Sequence, residues 1–195
     1  MPAWQDLVAI LAAYALGCFT TAYYLVRVWK GQDIRQLGSG NVGGRNAGRI
    51  LGPAGFVIVV IGDVLKGTLA VLLARYLGTQ TWALVLAMVA VVAGHIWPAQ
   101  LGFKGGKGAA TMMGTLIAYD ITIALIVAGL FLVLFAIFRS FTIGGLLAFA
   151  LTPVALVVLG RPLVSTEAML ALAGIVLVAH RSNIRAKLHR GAATT

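Results

Sequence analysis

Long apolar runs alternate along this chain with short polar turns rich in glycine and basic residues. The runs cover residues 4–28, 53–77, 82–97, 121–138, 141–160 and 165–179, and residues 108–119 form a shorter one. A membrane-spanning helix needs about 20 apolar residues, with a range of about 17–25. The pattern therefore predicts a bundle of membrane helices, several of them short. The distribution of basic residues decides how many cross. Arg27, Lys30, Arg35, Arg45 and Arg49 fill the first polar segment, Lys104 and Lys107 the next, and Arg181, Arg185, Lys187 and Arg190 the tail. Positive charge concentrates on the cytoplasmic side of membrane proteins. All three segments share that side only if residues 108–119 cross separately, with Asp120 at an outer turn.

The expectation is an all-α integral membrane protein of about seven transmembrane helices. The fourth is short, tilted or re-entrant, a form tolerated where it lines a protein cavity. The N-terminus lies outside and the C-terminus in the cytoplasm. That arrangement leaves twelve of the fifteen basic residues inside, Arg75 and Arg161 outside, and Lys66 within a span. The longest polar segment is roughly residues 29–52, so residues 1–195 read as one membrane-embedded domain. No internal repeat is evident, which weighs against an inverted-repeat transporter.

Composition agrees with this picture. Hydrophobic residues make up 61% of the 195 positions, against about 45–50% in soluble domains. The N-terminus has no basic stretch and Asp6 precedes the first apolar run, so no cleavable signal is expected. The lone Cys18 excludes an internal disulfide. The net charge of +10 points to nucleic acid, or to membrane lipids and an anionic substrate. The short loops between spans disfavour nucleic acid.

Three polar clusters carry the candidate chemistry. In "GSGNVGGRNAGR", residues 38–49, five glycines let backbone amides approach an anion. Ser39, Asn41 and Asn46 add neutral donors, and Arg45 and Arg49 are able to clamp phosphate oxygens. In "GHIWPAQLGFKGGKGAAT", residues 94–111, Lys104 and Lys107 flank Gly105 and Gly106. A helix starting near Gly108 aims its amides at the same anion. A nucleotide-binding P-loop is excluded, because Lys107 is followed by Gly108 and position 101 is Leu. In "AHRSNIRAKLHRG", residues 179–191, a continuing helix puts His180, Asn183 and Lys187 on one face. Asp63 and Lys66 stand three residues apart inside the second span, where mutual neutralisation that holds helix packing is the simplest reading. His95, Asp63 and Lys66 are candidate supporting groups, and Thr142 alone suggests a helix cap.

The chain has no Ser-His-Asp ordering, no paired carboxylates near the loops, and no metal-ligand cluster, so neither metal nor cofactor is expected. The H-x-x-x-x-D signature of CoA-dependent glycerol acyltransferases is absent, since His95, His180 and His189 are followed at that spacing by Gln100, Arg185 and Thr194. What remains is an electropositive, glycine-lined site on the cytoplasmic face. It suits acyl transfer between two phosphate-bearing substrates by proximity and carbonyl polarisation. A carrier or channel for phosphate or an organic anion is the alternative; the gathering of the clusters on one face favours an enzyme.

Together, "DIRQLGSGNVGGRNAGR", "GDVLKG", "GHIWPAQLGFKGGKGAAT" and "HRSNIR" resemble the bacterial acyl-phosphate-dependent glycerol-3-phosphate acyltransferases, the PlsY family, in order and approximate spacing. The resemblance implies a seven-helix inner-membrane enzyme with its site facing the cytoplasm. It implies acylation of the 1-hydroxyl of glycerol 3-phosphate by acyl phosphate, giving lysophosphatidic acid and phosphate, with no obligate protein partner. By motif, Ser39, Arg49 and Lys104 contact substrate phosphate, and Lys107 with Gly105 and Gly106 completes the cradle. His180 and Asn183 flank the reacting groups, and Thr142 stands where the family often has serine. The family's substrate-assisted mechanism needs no protein base. The chain departs from the family pattern at Gly44-Arg45-Asn46 (usually Ala-Thr-Asn), at Gly17-Cys18-Phe19-Thr20 (often Gly-Ser-Ile-Pro), and in lacking an acidic residue after the last motif.

Overall fold

A computed structural model describes residues 3–185, so Lys187 lies outside the described residues. Among the described residues the regular secondary structure is all helical, without strands. Helices α1 (Trp4–Cys18) and α2 (Thr21–Lys30) are separated by Phe19 and Thr20 in extended conformation, and together form one apolar span. Gly31 takes a left-handed conformation (φ 68°) and ends α2. Helix α3 (Gly44–Tyr76) is broken at Gly52 (φ 76°, ψ −171°), and Pro53 starts its second segment. Proline is favoured there because its fixed φ suits a first helical turn that needs no N–H. The polar segment expected at 29–52 is thus helical from Gly44 onward.

The chain continues through α4 (Thr81–Ile96), α5 (Ala109–Tyr119), α6 (Ile121–Phe138), α7 (Phe141–Val158) and α8 (Leu163–Ala179). After a turn at His180, residues 181–185 are helical again. Among the described residues five stretches are long and apolar enough to cross a membrane: Trp4–Lys30, Gly44–Tyr76, Thr81–Leu101, Ile121–Phe138 and Phe141–Val158. Helix α5 has 11 residues, and at about 1.5 Å per residue it falls well short of a hydrocarbon layer of about 30 Å.

The chain divides into two compact units, Met1–Asp120 and Ile121–Thr195. In the first, helices meet through glycine. A Cβ on Gly17 of α1 would strike the Val91 carbonyl of α4, and one on Gly94 of α4 would strike the Tyr14 carbonyl of α1. The same holds between α3 and α5, where Gly67 faces the backbone of Thr111 and Gly114 that of Val64. Small residues let backbones close up, which matters because lipid removes the hydrophobic drive between helices. Asp6 is buried and ties two segments, accepting from the amides of Ala3 and Gln80 at 3.1 Å each.

The second unit is a succession of apolar helices. Only 17% of the α6 window is buried, as suits a helix facing lipid over most of its surface. Arg139 (φ 48°) and Ser140 make the turn into α7, and the Ser140 hydroxyl caps that helix by accepting from the Ile143 amide at 3.4 Å. Phe131 packs edge-on against Phe141 with ring centres 5.1 Å apart, closing the α6–α7 hairpin.

Candidate active site

Two loops come together at one end of the first unit, and their own side chains hold them there. Asp33 and Arg35 form a forked ion pair, with Nη2 2.6 Å from Oδ2 and Nε 3.0 Å from each carboxylate oxygen. Those hydrogen bonds hold the Asp33 carboxyl below the usual carboxylate range. Arg35 also donates to the Leu101 carbonyl at 2.8 Å, so the first loop is fastened to the second. Its guanidinium lies over the Tyr23 ring, 5.6 Å from the centre.

Asn46, in the first turn of α3, organises the glycine-rich turn. Its Oδ1 accepts from the Ser39 amide at 2.9 Å, and its Nδ2 donates to Leu37 O at 2.9 Å and to Ile34 O at 3.4 Å. Buried, with both ends of its amide engaged, Asn46 acts here as scaffold for the loop. Ser39 is exposed at the tip, Asn41 is half-buried, and Arg45 and Arg49 project into solvent from the start of α3.

The second loop folds back on the end of α4. The Gly105 and Gly106 amides donate to Ile96 O and His95 O, each at 3.0 Å. Gly106 is buried where a side chain does not fit, because a Cβ would strike both His95 Nε2 and the Val42 carbonyl of the first loop. Lys104 is exposed, whereas Lys107 is half-buried. Burial, and then the neighbouring Arg45 cation, lower the Lys107 ammonium from its ordinary value of 10.5. The charge of Arg45, in the first turn of α3, thus acts on Lys107 of the second loop.

Behind the loops lies a buried polar cluster. Lys66 Nζ stands 3.0 Å from Asp63 Oδ1 and 2.7 Å from His95 Nδ1, and donates to the Phe19 and Gly17 carbonyls at 2.9 and 3.3 Å. The Thr21 hydroxyl adds a 3.2 Å bond to Asp63.

In the second unit, His180 follows α8 and its Nδ1 lies 2.8 Å from the Val176 carbonyl. A carbonyl only accepts, so Nδ1 carries the proton and, in the neutral ring, Nε2 is the acceptor. Asn183 is half-buried one turn on, with its Oδ1 3.5 Å from the Ser182 hydroxyl. Thr142 is half-buried in the first turn of α7.

Several site-building residues escape sequence reading. The Asp33–Arg35 staple is signalled only by an acid and a base two positions apart. The Gln100 amide bonding the Cys18 carbonyl, and the Tyr14 hydroxyl bonding the Trp97 carbonyl at 2.8 Å, leave no local signature.

Comparison with known proteins agrees with this architecture. The glycerol-3-phosphate acyltransferase family model matches residues 7–190. A glycerol-3-phosphate acyltransferase 1 of Desulfitobacterium hafniense is 44% identical over 95% of this chain and 92% of its own length. A glycerol-3-phosphate acyltransferase of a Synechococcus strain is 41% identical over 94% and 91%. The crystal structure of PlsY, an integral membrane glycerol 3-phosphate acyltransferase, matches in its glycerol 3-phosphate form with a TM-score of 0.86 and 34% identity, covering 94% of this chain and 92% of that one. The first two clusters and residues 179–190 of the third lie within the range of the family match. This multi-pass membrane chain therefore belongs to the glycerol-3-phosphate acyltransferases of the PlsY family.

Proposed function

We propose that the chain transfers an acyl group from acyl phosphate to the 1-hydroxyl of sn-glycerol 3-phosphate, giving lysophosphatidic acid and inorganic phosphate. The observation that carries this reading is the interlocking of two glycine-rich segments that bring cations to one place: Arg35 bonds the Leu101 carbonyl, Gly106 packs against Val42, and the Arg45 charge acts on the half-buried Lys107. A bound anion offsets the positive charge gathered there, and charge-assisted contacts to phosphate are the strong kind. Lys104 on the second loop and Arg49 near the start of α3 add exposed cations, and Ser39 and Asn41 add neutral donors. Asn46, Gly105 and Gly106 shape the cradle.

In the reaction, the glycerol hydroxyl oxygen attacks the acyl carbon and the bond from that carbon to the phosphate oxygen breaks. The departing phosphate takes the hydroxyl proton, so the protein supplies no base. Loop cations offset the charge that gathers on the leaving phosphate. His180 and Asn183 are assigned to orienting the hydroxyl and polarising the carbonyl, and Thr142 supports them. The loops face the cytoplasm from a bacterial inner membrane, with seven crossings and the N-terminus outside. A cysteine placed at position 120 is then labelled from the outer side, and inner labelling alone contradicts that topology. The reading needs no cofactor, nucleic acid or obligate protein partner.

The deciding experiment supplies purified protein in lipid with palmitoyl phosphate and glycerol 3-phosphate and follows phosphate release. Release should depend on glycerol 3-phosphate. Lys104→Ala and Arg49→Ala should each cut kcat/KM by about 10- to 150-fold, since each removes a charged hydrogen bond. Folded protein that releases no phosphate in response to glycerol 3-phosphate refutes the enzyme.

A further inference from the structure

The buried cluster of Asp63, Lys66 and His95 has no part in the reaction as written above, yet it occupies a costly place. All three side chains are 5% exposed or less, on helices α3 and α4 within apolar spans. Ionisable groups inside a membrane are expensive, and apolar residues of similar volume would fill the same space. Neutralisation explains why Asp63 accompanies Lys66. It does not explain why an imidazole completes the group with its opposite edge against a loop.

The hydrogen-bond chemistry gives His95 a direction. A lysine ammonium only donates, so His95 Nδ1, 2.7 Å from Lys66 Nζ, accepts. The neutral ring then carries its proton on Nε2, and Nε2 is the atom that faces Gly106. The Val42 carbonyl of the glycine–arginine loop crowds the same face of Gly106, so imidazole, glycine and carbonyl meet at one point. The His95 carbonyl itself accepts from the Gly106 amide at 3.0 Å. From the opposite end, Lys66 is clamped by the Phe19 and Gly17 carbonyls, which the break between α1 and α2 releases from helical bonding. The imidazole therefore spans from a fixed point inside the helices to the contact between the two loops.

We propose that Asp63, Lys66 and His95 are positioning residues, in which the ion pair holds the His95 ring as a strut that sets the spacing of the two phosphate-binding loops through Gly106. The role of those loops rests on the acyl-transfer reading; the strut itself rests on geometry. The strut accounts for three features at once: the buried charge, the histidine's orientation, and the absence of room for a side chain at position 106.

The test combines hydrogen–deuterium exchange with kinetics on protein in lipid. His95→Ala should speed exchange at least tenfold in residues 38–46 and 103–108, with the first unit's helices α1 and α4 unchanged. It should raise KM for glycerol 3-phosphate or acyl phosphate at least tenfold while kcat stays within about threefold, because loop spacing governs phosphate capture. His95→Gln, which reaches toward the Nε2 position, should recover part of the lost loop protection. Should His95→Ala fold poorly, the charge-neutral pair Asp63→Asn with Lys66→Met removes the anchor without stranding a charge, and should give the same loop-selective change. Exchange at both loops that stays as in the parent, or that rises equally in every helix, overturns the strut. Parent protein that shows no acyl transfer refutes the enzyme reading alone, and the exchange measurement still decides the strut.

Discussion

The two units solve the same problem with different means. The first buries Asp6, Asn46, Asp63, Lys66 and His95, alongside hydroxyls, whereas the buried polar residues described in the second are Thr152, Ser165 and Thr166. In the first unit these groups bond across helices and loops, as Lys66 does to α1 and α4. In the second, Thr152 donates to the Ala148 carbonyl of its own helix at 2.7 Å. Lipid offers no hydrophobic gain for pressing two apolar helices together, so a unique arrangement must come from close backbone approach and polar bonds. The first unit has both, and it carries the loops to which the proposed reaction assigns the substrate phosphate.

The largest test of this contrast removes one partner of the buried pair. Lys66→Met leaves the Asp63 carboxylate buried without its lysine partner, and should lower stability by about 3–5 kcal/mol. Thr152→Val, by comparison, should change stability by less than about 1 kcal/mol, since it removes only a local hydrogen bond. Denaturation in mild detergent measures both. Equal effects would erase the distinction between the units. Gly114→Ala is the next step down: its Cβ would strike the Val64 backbone, and the overpacking should cost about 1–3 kcal/mol.

Much of the fold is legible from apolar runs, and the reasons for success and failure are specific. The stretch at 121–138 coincides with α6 because Asp120 and Arg139 bracket it. The first turns of α3 were hidden by their glycines, each worth up to about 1 kcal/mol against a helix. Tertiary packing overrides that: Ala47 is buried with Val42, Ile34 and Val59. Asn46 shows a limit of another kind. Its sequence context reveals a donor and acceptor in a loop, but not that Leu37 O, Ile34 O and the Ser39 amide already occupy them. Likewise the i, i+3 spacing exposes Asp63 with Lys66, while His95, 29 residues beyond Lys66, joins only through folding.

The comparison extends to a titrating group outside the spans. Burial and Arg45 lower the Lys107 ammonium from 10.5, so the folded chain releases that proton at lower pH than the unfolded chain. Between the two values the unfolded chain binds more protons, and stability rises with pH. If Lys107 holds substrate phosphate as proposed, capture should move the opposite way, falling as the ammonium loses its proton. Arg45→Thr removes one of the two causes and should shift the midpoint of the alkaline rise in KM for glycerol 3-phosphate to higher pH. A midpoint that stays put or moves lower would mean that the two cations are not coupled.

The smallest expected effect comes from the second unit and has the opposite sign. Gly129 lies within α6, and a Cβ there meets nothing within 4 Å. A helical glycine loses more conformational freedom than alanine, at a cost of roughly 0.5–1 kcal/mol. Gly129→Ala should therefore raise stability by about that amount, where the same change at Gly114 lowers it. The two substitutions are chemically identical and differ only in what surrounds them. A stability loss at both positions would show that α6 is packed as closely as α5, and that the looser construction assigned to the second unit is wrong.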